Sequence, residues 1–479
     1  MASTSHVEYP PKLSQQEEHY LLSNLKDWSI AHGLAVRPAP SFVQPSQDPS
    51  AIARDEVWLK SIVEELLDVD DFVAKLWRTH LEVKKEGYVQ DLSLGLFRSD
   101  YMVHQDSSQP KPSSGLKQVE FNTIASSFGG LSSQVSALHK HLLSIEAYPK
   151  STSSVIKEEA LQQSKSASSL AKGLAAAHKA YGPSRTNRPL CVLFVVQDQE
   201  RNVFDQRHLE YALLEQNGVR SFRLPFGESL SHTVLDSDRT LIYTPPNSPA
   251  LSYEATTIYF RAGYSPDDYP KDEDWAARLH LEKSRAIKCP SILTQLAGCK
   301  KVQQVLATPH SPHLKRFLPD DEIAARVLET FAPIYPLDNS DAGKEARKLA
   351  TDASTAVKYV LKPQREGGGN NVYRKAIPPF LQKLPETHWP AYILMEMIEP
   401  PPLENAIFRN GELQKGGVIC ELGVYGVCLW RDGNGNGEKG EIVENWEAGY
   451  LLRTKGDQSE EGGVAAGFGA VDSCCLVDE

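Results

Sequence analysis

A lysine, a glutamate and three consecutive glycines stand together in VLKPQREGGGNNVY, residues 360–373. The glycine backbone can approach an anion closely, and the Lys362 ammonium suits a phosphate or a developing negative charge. Glu366 supplies a carboxylate oxygen of the kind that Mg²⁺ prefers. The set predicts a loop that binds nucleotide phosphates and their metal, although glycines followed by two asparagines are also typical of a surface turn.

Two further polar pairs have types and spacings that fit the same chemistry. In LKQVEFNTIA, residues 116–125, Glu120 and Asn122 are two positions apart in a predicted strand and therefore share a face. A carboxylate beside an amide oxygen is half of a Mg²⁺ site, and a solvated polar face is the alternative. The tandem Lys300-Lys301 adds positive charge, for which a solvated helix surface is the ordinary interpretation.

Buried strands must deliver a third group of polar residues. LCVLFVV, residues 190–196, has the length and apolar character of a buried parallel strand, and a polar turn and an amphipathic helix follow it. A second strand is predicted at 256–264, and a small α/β module at 187–298. Open α/β sheets bind ligands just past the carboxyl ends of such strands. The candidates at these ends are Glu200, Asn202, Gln206, Arg261 and Tyr264.

The other elements complete a mixed α/β chain. Helical periodicity covers 17–32, 51–85 and 272–306, the last with a break at Cys289-Pro290. The strand AYILMEMIEPP, residues 391–401, contributes Met395 to Ile398 either to an adenine slot or to the core. The glycine-rich loop 432–444 resembles a calcium loop but has valine where the bidentate glutamate is required. We therefore predict a hairpin connection there.

Composition limits the possible partners. The 479 residues are 41% hydrophobic and 24% charged, as in ordinary globular proteins, and the net charge of −11 provides no basic excess for binding nucleic acid. No run of 18 apolar residues and no signal-type N-terminus occurs in the sequence, which predicts a cytoplasmic protein. Seven cysteines without CxxC pairs indicate core residues rather than a disulfide framework or a zinc site.

The motifs taken together closely resemble those of the eukaryotic glutathione synthetase family of ATP-grasp ligases. The segments that carry the resemblance are VEFNTIASSFGGL, ERNVFDQR, YFRAGYSP, KCPSILTQLAGCKKVQQ, VLKPQREGGGNNVY, YILMEMIEP, CELGVYG and LLRTKGDQSEEGGVAAG. They run from about residue 95 to the C-terminal region in the family's order. The resemblance implies ATP- and Mg²⁺-dependent joining of γ-glutamylcysteine to glycine by a homodimer, giving glutathione, ADP and phosphate.

The resemblance also implies a fold class and a domain division. We expect a mixed α/β ATP-grasp fold with an inserted parallel α/β substrate-binding domain at 187–298. The main body would comprise 1–186 and 299–479, with a mobile lid at roughly 345–420.

Residue-level matches to the family motifs assign roles by resemblance. Mg²⁺ would be held by Glu120, Asn122 and Glu366. ATP would contact Glu120, Lys300, Lys362, Glu366, Gly367, Gly368, Asn371, Tyr373, Met395, Ile398, Glu421, Lys455 and Glu461. γ-Glutamylcysteine and its reacting carboxylate would contact Arg98, Ser127, Glu200, Asn202, Gln206, Arg261, Tyr264, Arg453, Val464 and Ala465. The catalytic charges would be those of Arg98, Lys300, Lys362 and Arg453.

The chain departs from the family pattern in places. Glu461 stands where the family commonly has aspartate, and the Ser126-Ser127 pair leaves open which hydroxyl faces the substrate. Two other functions compete with the ligase. One is a related ligase that uses β-alanine or serine as acceptor, and the other is a catalytically silent nucleotide-binding relative. The expected mark of the silent relative is loss of Lys362, Glu366 or Arg453, and all three are present.

Overall fold

The computed structural model describes residues 13–32, 34, 54–105, 114–318, 320–366, 369–409, 412–433, 440–459 and 469–477. The described helices are α1 (Gln15–Ala31), α2 (Glu56–Val63), α3 (Asp71–Glu86), α4 (Gly129–Ser144), α5 (Ser166–Tyr181), α6 (Val203–Asn217), α7 (Ser229–His232), α8 (Asp272–Lys283), α9 (Ile292–Ala297), α10 (Lys300–Ala307), α11 (Leu314–Phe317), α12 (Asp321–Glu329), α13 (Asp341–Thr351) and α14 (Ile377–Leu381). None of them is long and apolar enough to cross a membrane.

The strands form two sheets. They are β1 (Leu92–Gln105), β2 (Ser114–Asn122), β3 (Leu190–Val196), β4 (Ser221–Pro225), β5 (Thr233–Leu235), β6 (Leu241–Tyr243), β7 (Tyr253–Phe260), β8 (Ile287–Cys289), β9 (Ile334–Pro336), β10 (Tyr359–Pro363), β11 (Val372–Tyr373), β12 (Tyr392–Glu396), β13 (Leu403–Arg409), β14 (Glu412–Arg431), β15 (Glu441–Gly456) and β16 (Gly469–Asp472). The mixed α/β fold class is therefore confirmed.

The larger sheet has 12 strands and joins a parallel half to an antiparallel half. Its main path runs β16-β15-β14-β1-β8-β7-β3-β4, with β2 beside β1 and β13 beside β14. Strands β3, β4, β7 and β8 pair in parallel, as the apolar run at 190–196 predicts. The strands of the segment 187–298 thus belong to the same sheet as β1, and the domain boundaries stay a prediction.

Alternating side chains of β3 explain how this sheet is buried on both faces. Cys191, Leu193 and Val195 belong to the core that contains α2, α3 and α9. Val192 and Phe194 belong to the core of α4, α5 and α6 on the opposite face. A parallel strand covered by helices on both faces needs apolar residues at every position, which is why no polar residue interrupts the run.

The smaller sheet has four strands in the order β11-β10-β12-β9 and its own core. That core includes Leu337, Ala346, Leu361, Ile377 and Leu394, from the sheet and the helices beside it. Strand β10 pairs antiparallel with β11, Val360 with Tyr373, so the two predicted strands of the segment 360–373 are confirmed.

Two expectations about secondary structure are wrong. The segment 272–306 is not helical throughout, because residues 287–289 form the buried strand β8, which ends at the cis Cys289-Pro290 bond. The segment 51–85 is two helices rather than one. The Asp70 carboxylate accepts the backbone N–H of Val73 at 3.0 Å and so begins α3 separately. The hairpin expected around 432–444 is confirmed by the antiparallel pairing of β14 with β15.

Candidate active site

A cleft of about 770 Å³ separates the four-stranded sheet from the antiparallel half of the large sheet. One wall comes from β10 and β12, and the other from β2, β14 and β15. The predicted ATP-site residues that line it are Glu120, Lys362, Asn371, Tyr373, Met395, Ile398, Glu421 and Lys455, and Arg453 joins them. Positions separated by more than 300 residues in the sequence therefore meet in one cavity.

One end of the cleft is apolar. Met395 and Ile398 pack in a buried cluster with Val360, and all three line the cavity. The two interpretations of this stretch, slot or core, thus describe the same side chains, because the edge of the core is the wall of the cleft. Tyr373 stands beside it and accepts a hydrogen bond from the Asn371 side chain at 3.2 Å. An apolar slot with a few polar groups is suited to a flat heterocyclic base.

Both lysines predicted to meet phosphate are buried; Lys362 lines the cleft, and Lys300 pairs with Glu120, which lines it. Lys362, only 4% exposed, donates from Nζ to the backbone oxygen of Val119 at 3.1 Å. The Nζ of Lys300 lies 3.1 Å from the Glu120 carboxylate, and both side chains are nearly buried. The solvated-helix interpretation of the tandem lysines is therefore wrong for Lys300.

The solvated-helix interpretation is also wrong for Lys301, which joins the N-terminal helical region to the four-stranded sheet. Its Nζ lies 2.7 Å from the Glu65 carboxylate in the N-terminal helical region and 3.3 Å from Asp338 beside the four-stranded sheet. Its backbone N–H donates to the Gln364 side chain at 2.9 Å. Lys301 thus fixes the base of the glycine-rich loop against the body.

A buried charge network lies next to these lysines. Arg98 donates to both oxygens of Asp100, at 2.6 and 2.8 Å, and to the Asn122 side-chain oxygen at 3.1 Å. Arg453 donates to Asp100 at 2.9 Å and also to Glu421. Both arginines are 7% exposed or less. The sequence predicts Arg98, Asn122, Arg453 and Glu421 at the site, whereas it misses Asp100.

The two carboxyl groups of this network differ in pKa. Burial opposes ionisation of Asp100, but Arg98 and Arg453 outweigh it and lower the Asp100 pKa. Burial raises the pKa of Glu421 despite the attraction of Arg453, and the nearby Asp100 and Glu120 add to the rise. The network therefore favours the charged form of Asp100 and disfavours that of Glu421.

A second polar cluster forms at the carboxyl ends of β3 and β7. Arg261, 4% exposed, donates to the Ser126 backbone oxygen at 2.6 Å and to the Ser127 hydroxyl at 2.8 Å. The Ser126 hydroxyl instead donates to the Leu96 backbone oxygen at 3.0 Å. Ser127 is consequently the serine whose hydroxyl belongs to the site.

The turn after β3 completes this cluster. Glu200 accepts the backbone N–H of Asn202 at 2.7 Å and the side-chain amide of Gln206. Within the described residues, the side-chain oxygens of Asn202 and Gln206 and the Nε of Arg261 are buried without a hydrogen-bond partner. Buried polar atoms in proteins nearly always have a hydrogen-bond partner. Three unpartnered atoms grouped together are therefore what we expect where a polar ligand binds.

Tyr264 borders the same cluster. Its hydroxyl accepts from the Gln197 side chain at 3.2 Å, and burial and the nearby Asp268 carboxylate raise its pKa. Asp268 holds the turn that carries it by accepting the backbone N–H groups of Gly263 and Tyr264 at 2.9 and 3.1 Å. Tyr264 is therefore a protonated phenol at neutral pH.

Ser127 connects the two clusters. Its backbone oxygen accepts from Arg98 at 2.9 Å and from the Tyr425 hydroxyl at 2.6 Å, while its hydroxyl accepts from Arg261. Asp205, which the sequence analysis misses, accepts the backbone N–H groups of Phe128 and Gly130 at 2.8 and 2.7 Å and thereby begins α4. The polar cluster at the ends of β3 and β7 and the charge network thus form one continuous site.

Some predicted residues are not described or not brought together. Gly367, Gly368, Glu461, Val464 and Ala465 lie outside the described residues. Among those that are described, no three His, Cys, Asp or Glu side chains cluster as a metal site. Glu120 and Asn122 do share the buried face of β2, as the alternation predicts.

The cysteines near the cleft have the character of core residues. Cys428 is buried, and Cys420 contacts the Thr454 hydroxyl at 3.5 Å. Burial raises the pKa of the Cys420 thiol, which removes the thiolate needed for nucleophilic chemistry. We expect Cys420→Ala and Cys428→Ala to leave kcat within about threefold of the parent, since neither thiol reacts. Steady-state turnover of folded variants checks this, and a collapse of kcat in either one would contradict it.

A cleft between a small antiparallel sheet and a large mixed sheet, with Lys362, Arg453 and Lys455 in its walls, is the architecture of an ATP-grasp fold. The solved structure of a glutathione synthetase-like effector from Globodera pallida has the same fold, with a TM-score of 0.66, 18% identity, and coverage of 97% of this chain and 98% of that one.

Sequence comparison identifies the family. Residues 49–476 match the model of the eukaryotic glutathione synthase ATP-binding domain. The chain is 41% identical to the glutathione synthetase large chain of Schizosaccharomyces pombe, covering 93% of this chain and 88% of that protein. It is 38% identical to the glutathione synthetase of Xenopus laevis, covering 89% and 84%. The chain belongs to the eukaryotic glutathione synthase family.

Proposed function

We propose that the protein joins γ-glutamylcysteine to glycine with ATP, through an acyl-phosphate intermediate, to give glutathione, ADP and phosphate. The observation that carries this is Ser127, whose two oxygens join Arg98 of the charge network to Arg261 of the polar cluster at the ends of β3 and β7. One ligand with a charged, polar end at Arg261 would have its other end beside Arg98 and Arg453. Those arginines lie next to the lysines of the nucleotide cleft.

Amide formation from a carboxylate requires an activated leaving group. The dipeptide carboxylate oxygen attacks the γ-phosphorus of ATP and ADP leaves, which forms the acyl phosphate. The glycine amine then attacks the acyl carbon, loses a proton, and phosphate leaves. This route needs positive charge at the transferring phosphoryl group and no side-chain nucleophile. Lys300, Lys362 and Arg453 supply that charge from buried positions, where it acts strongly.

The donor set fits a magnesium ion. Mg²⁺ is commonly held by one or two carboxylates together with substrate phosphates, so a cluster of three acidic residues is not required. Glu120 faces the cleft beside Lys362, and Asn122 lies two residues away on the same face. We propose that Glu120, Asn122 and Glu366 hold the ion, which when bound would neutralise charge on the ATP phosphates.

Glu366→Gln tests the metal assignment. The variant should lower kcat more than tenfold, because it replaces a charged ligand by a neutral one of the same shape. Turnover would be titrated with Mg²⁺, and Glu345→Gln, an exposed position on α13, serves as the control. Near-normal kcat at saturating Mg²⁺ would remove Glu366 from the proposed site.

The reaction itself is tested by measuring phosphate release from ATP with γ-glutamylcysteine, with and without glycine, and by following the thiol product by mass. Release that depends on glycine, together with a product of the mass of glutathione, is the expected result. Parallel reactions with alanine, β-alanine and serine measure the acceptor preference, and faster turnover with one of these would make that amino acid the natural acceptor. No ATP consumption under any condition would overturn the proposal.

Three further properties are part of the proposal. The division into a body and a substrate-binding domain at 187–298, with a lid at roughly 345–420, is supported for the lid by the separate core of the four-stranded sheet. A cytoplasmic location is supported by seven free cysteines, as expected in a reducing compartment. A homodimer follows from the family resemblance, and light scattering on the purified chain would test it.

A further inference from the structure

Asp100 lies at the centre of the charge network and has no exposed surface. Its carboxylate accepts four hydrogen bonds, two from Arg98 at 2.6 and 2.8 Å, one from Arg453 at 2.9 Å and one from the Asn122 amide at 3.1 Å. Both oxygens of this carboxylate are thus already bonded to side chains of the protein. Any effect it has on the reaction must therefore act through the three side chains that it holds.

The sheet fixes Asp100 from both sides. Strand β1 lies between β2 and β14, where Asp100 pairs with Glu120 on one side and with Gly423 on the other. A Cβ atom at position 423 would come within 2.7 Å of the Asp100 carboxylate and 2.6 Å of the Arg98 side chain. The missing side chain at position 423 therefore leaves the space in which the Arg98–Asp100 ion pair lies.

Asp100 also joins residues that the sequence separates widely. Arg98 belongs to β1 and Arg453 to β15, two strands away, yet both guanidinium groups share one carboxylate. Two buried guanidinium groups repel each other unless an anion lies between them. Glu421 offers a second carboxylate to Arg453, and burial raises the pKa of that carboxyl group.

We propose that Asp100 is a positioning residue that holds Arg98 and Arg453 in fixed relation, so that the dipeptide carboxylate and the transferring phosphoryl group meet in line. This inference rests on the proposed function, because the roles of the two arginines come from it. Misplacement of a charged group by about 1 Å can cost on the order of 100-fold in rate.

Asp100→Asn keeps the size of the side chain, removes its charge and turns an NH₂ group toward a guanidinium. We expect kcat/KM for γ-glutamylcysteine to fall by about 50-fold or more, while KM for ATP changes less than about threefold, since the adenine slot does not touch Asp100. The decisive readout is the double variant with Arg98→Met. Because Asp100 acts through Arg98, the loss of kcat/KM in the double variant should be at least about tenfold smaller than the product of the losses in the two single variants.

Glu254→Gln is the matched control. Glu254 is likewise fully buried and accepts bonds from Tyr181, Ser184 and Thr186, but it lies at the amino end of β7, away from the site. The Glu254→Gln variant should have a lower melting temperature and an unchanged KM. Multiplicative losses in the double variant, or an Asp100→Asn enzyme with parent kinetics, would overturn the positioning role alone. Absence of glycine-dependent phosphate release by the parent enzyme would instead overturn the proposed function.

Discussion

Lys362→Met is expected to lower kcat by roughly 10²- to 10³-fold, the loss typical of removing one preorganised charge from a transition state. The Lys362 ammonium lies on β10 in the wall of the cleft, buried and directed to the backbone of β2. Its charge is therefore fixed before ATP arrives, and methionine keeps the length of the stem without the charge. The loss should appear mainly in kcat, because the transferring phosphoryl group needs stabilisation by positive charge more in the transition state than in bound ATP.

Single-turnover phosphate transfer would measure this loss separately from product release. Lys358→Met is the control, since Lys358 is exposed and directly precedes β10 on the same segment. The control should retain parent kcat. A Lys362→Met enzyme with kcat within threefold of the parent would show that Lys362 does not meet the phosphoryl group.

Arg261→Met is expected to lower kcat/KM for γ-glutamylcysteine by about 100-fold, mainly through KM. Hydrogen bonds to a charged group are worth about 1.5–3 kcal/mol each, and the buried Nε of Arg261 is directed to a ligand in the proposed complex. The kcat/KM of Arg261→Lys should lie between those of the parent and Arg261→Met, because lysine keeps the charge but loses the planar guanidinium group. The readout is steady-state kinetics with varied dipeptide at saturating ATP and glycine.

Arg188→Met provides the control for Arg261. Arg188 precedes β3 at the opposite end of the same strands and donates to the Ser252 hydroxyl at 2.8 Å. Melting temperatures of both variants separate loss of folding from loss of binding, because Arg261 also lies 3.6 Å from Asp205, which begins α4. An Arg261→Met enzyme that folds and keeps the parent KM would exclude Arg261 from the dipeptide site.

Local patterns account for the elements that were predicted correctly. The apolar run of β3, the alternation in β2 and the two strands of the segment 360–373 each depend on neighbouring residues alone. Strand β8 escaped prediction because it has three residues, one of them the buried Lys288, and lies inside an otherwise helical pattern. Its pairing partner is β7, which lies about 30 residues earlier, so no local pattern marks residues 287–289 as a strand.

Long-range pairing explains what the sequence could not provide at the site. Asp100 follows Arg98 by two residues, and the period of a strand places both on one face, so this residue could have been found. The bond from Asp100 to Arg453 could not have been found, because no local pattern predicts that β1 pairs with β14 and that β14 pairs with β15. The choice between Ser126 and Ser127 likewise depended on the position of Arg261, which a different strand delivers.

The place of β1 in the sheet has a consequence for biosynthesis. Residues Leu92 to Tyr101 pair with Arg431 to Leu422, so one side of β1 has no partner until the last part of the chain exists. At about 5–20 residues per second, roughly 15–65 s separate the two strands during translation. A nascent or truncated chain that ends before β14 therefore exposes an unpaired strand edge, and that is the form most prone to aggregate and to need a chaperone.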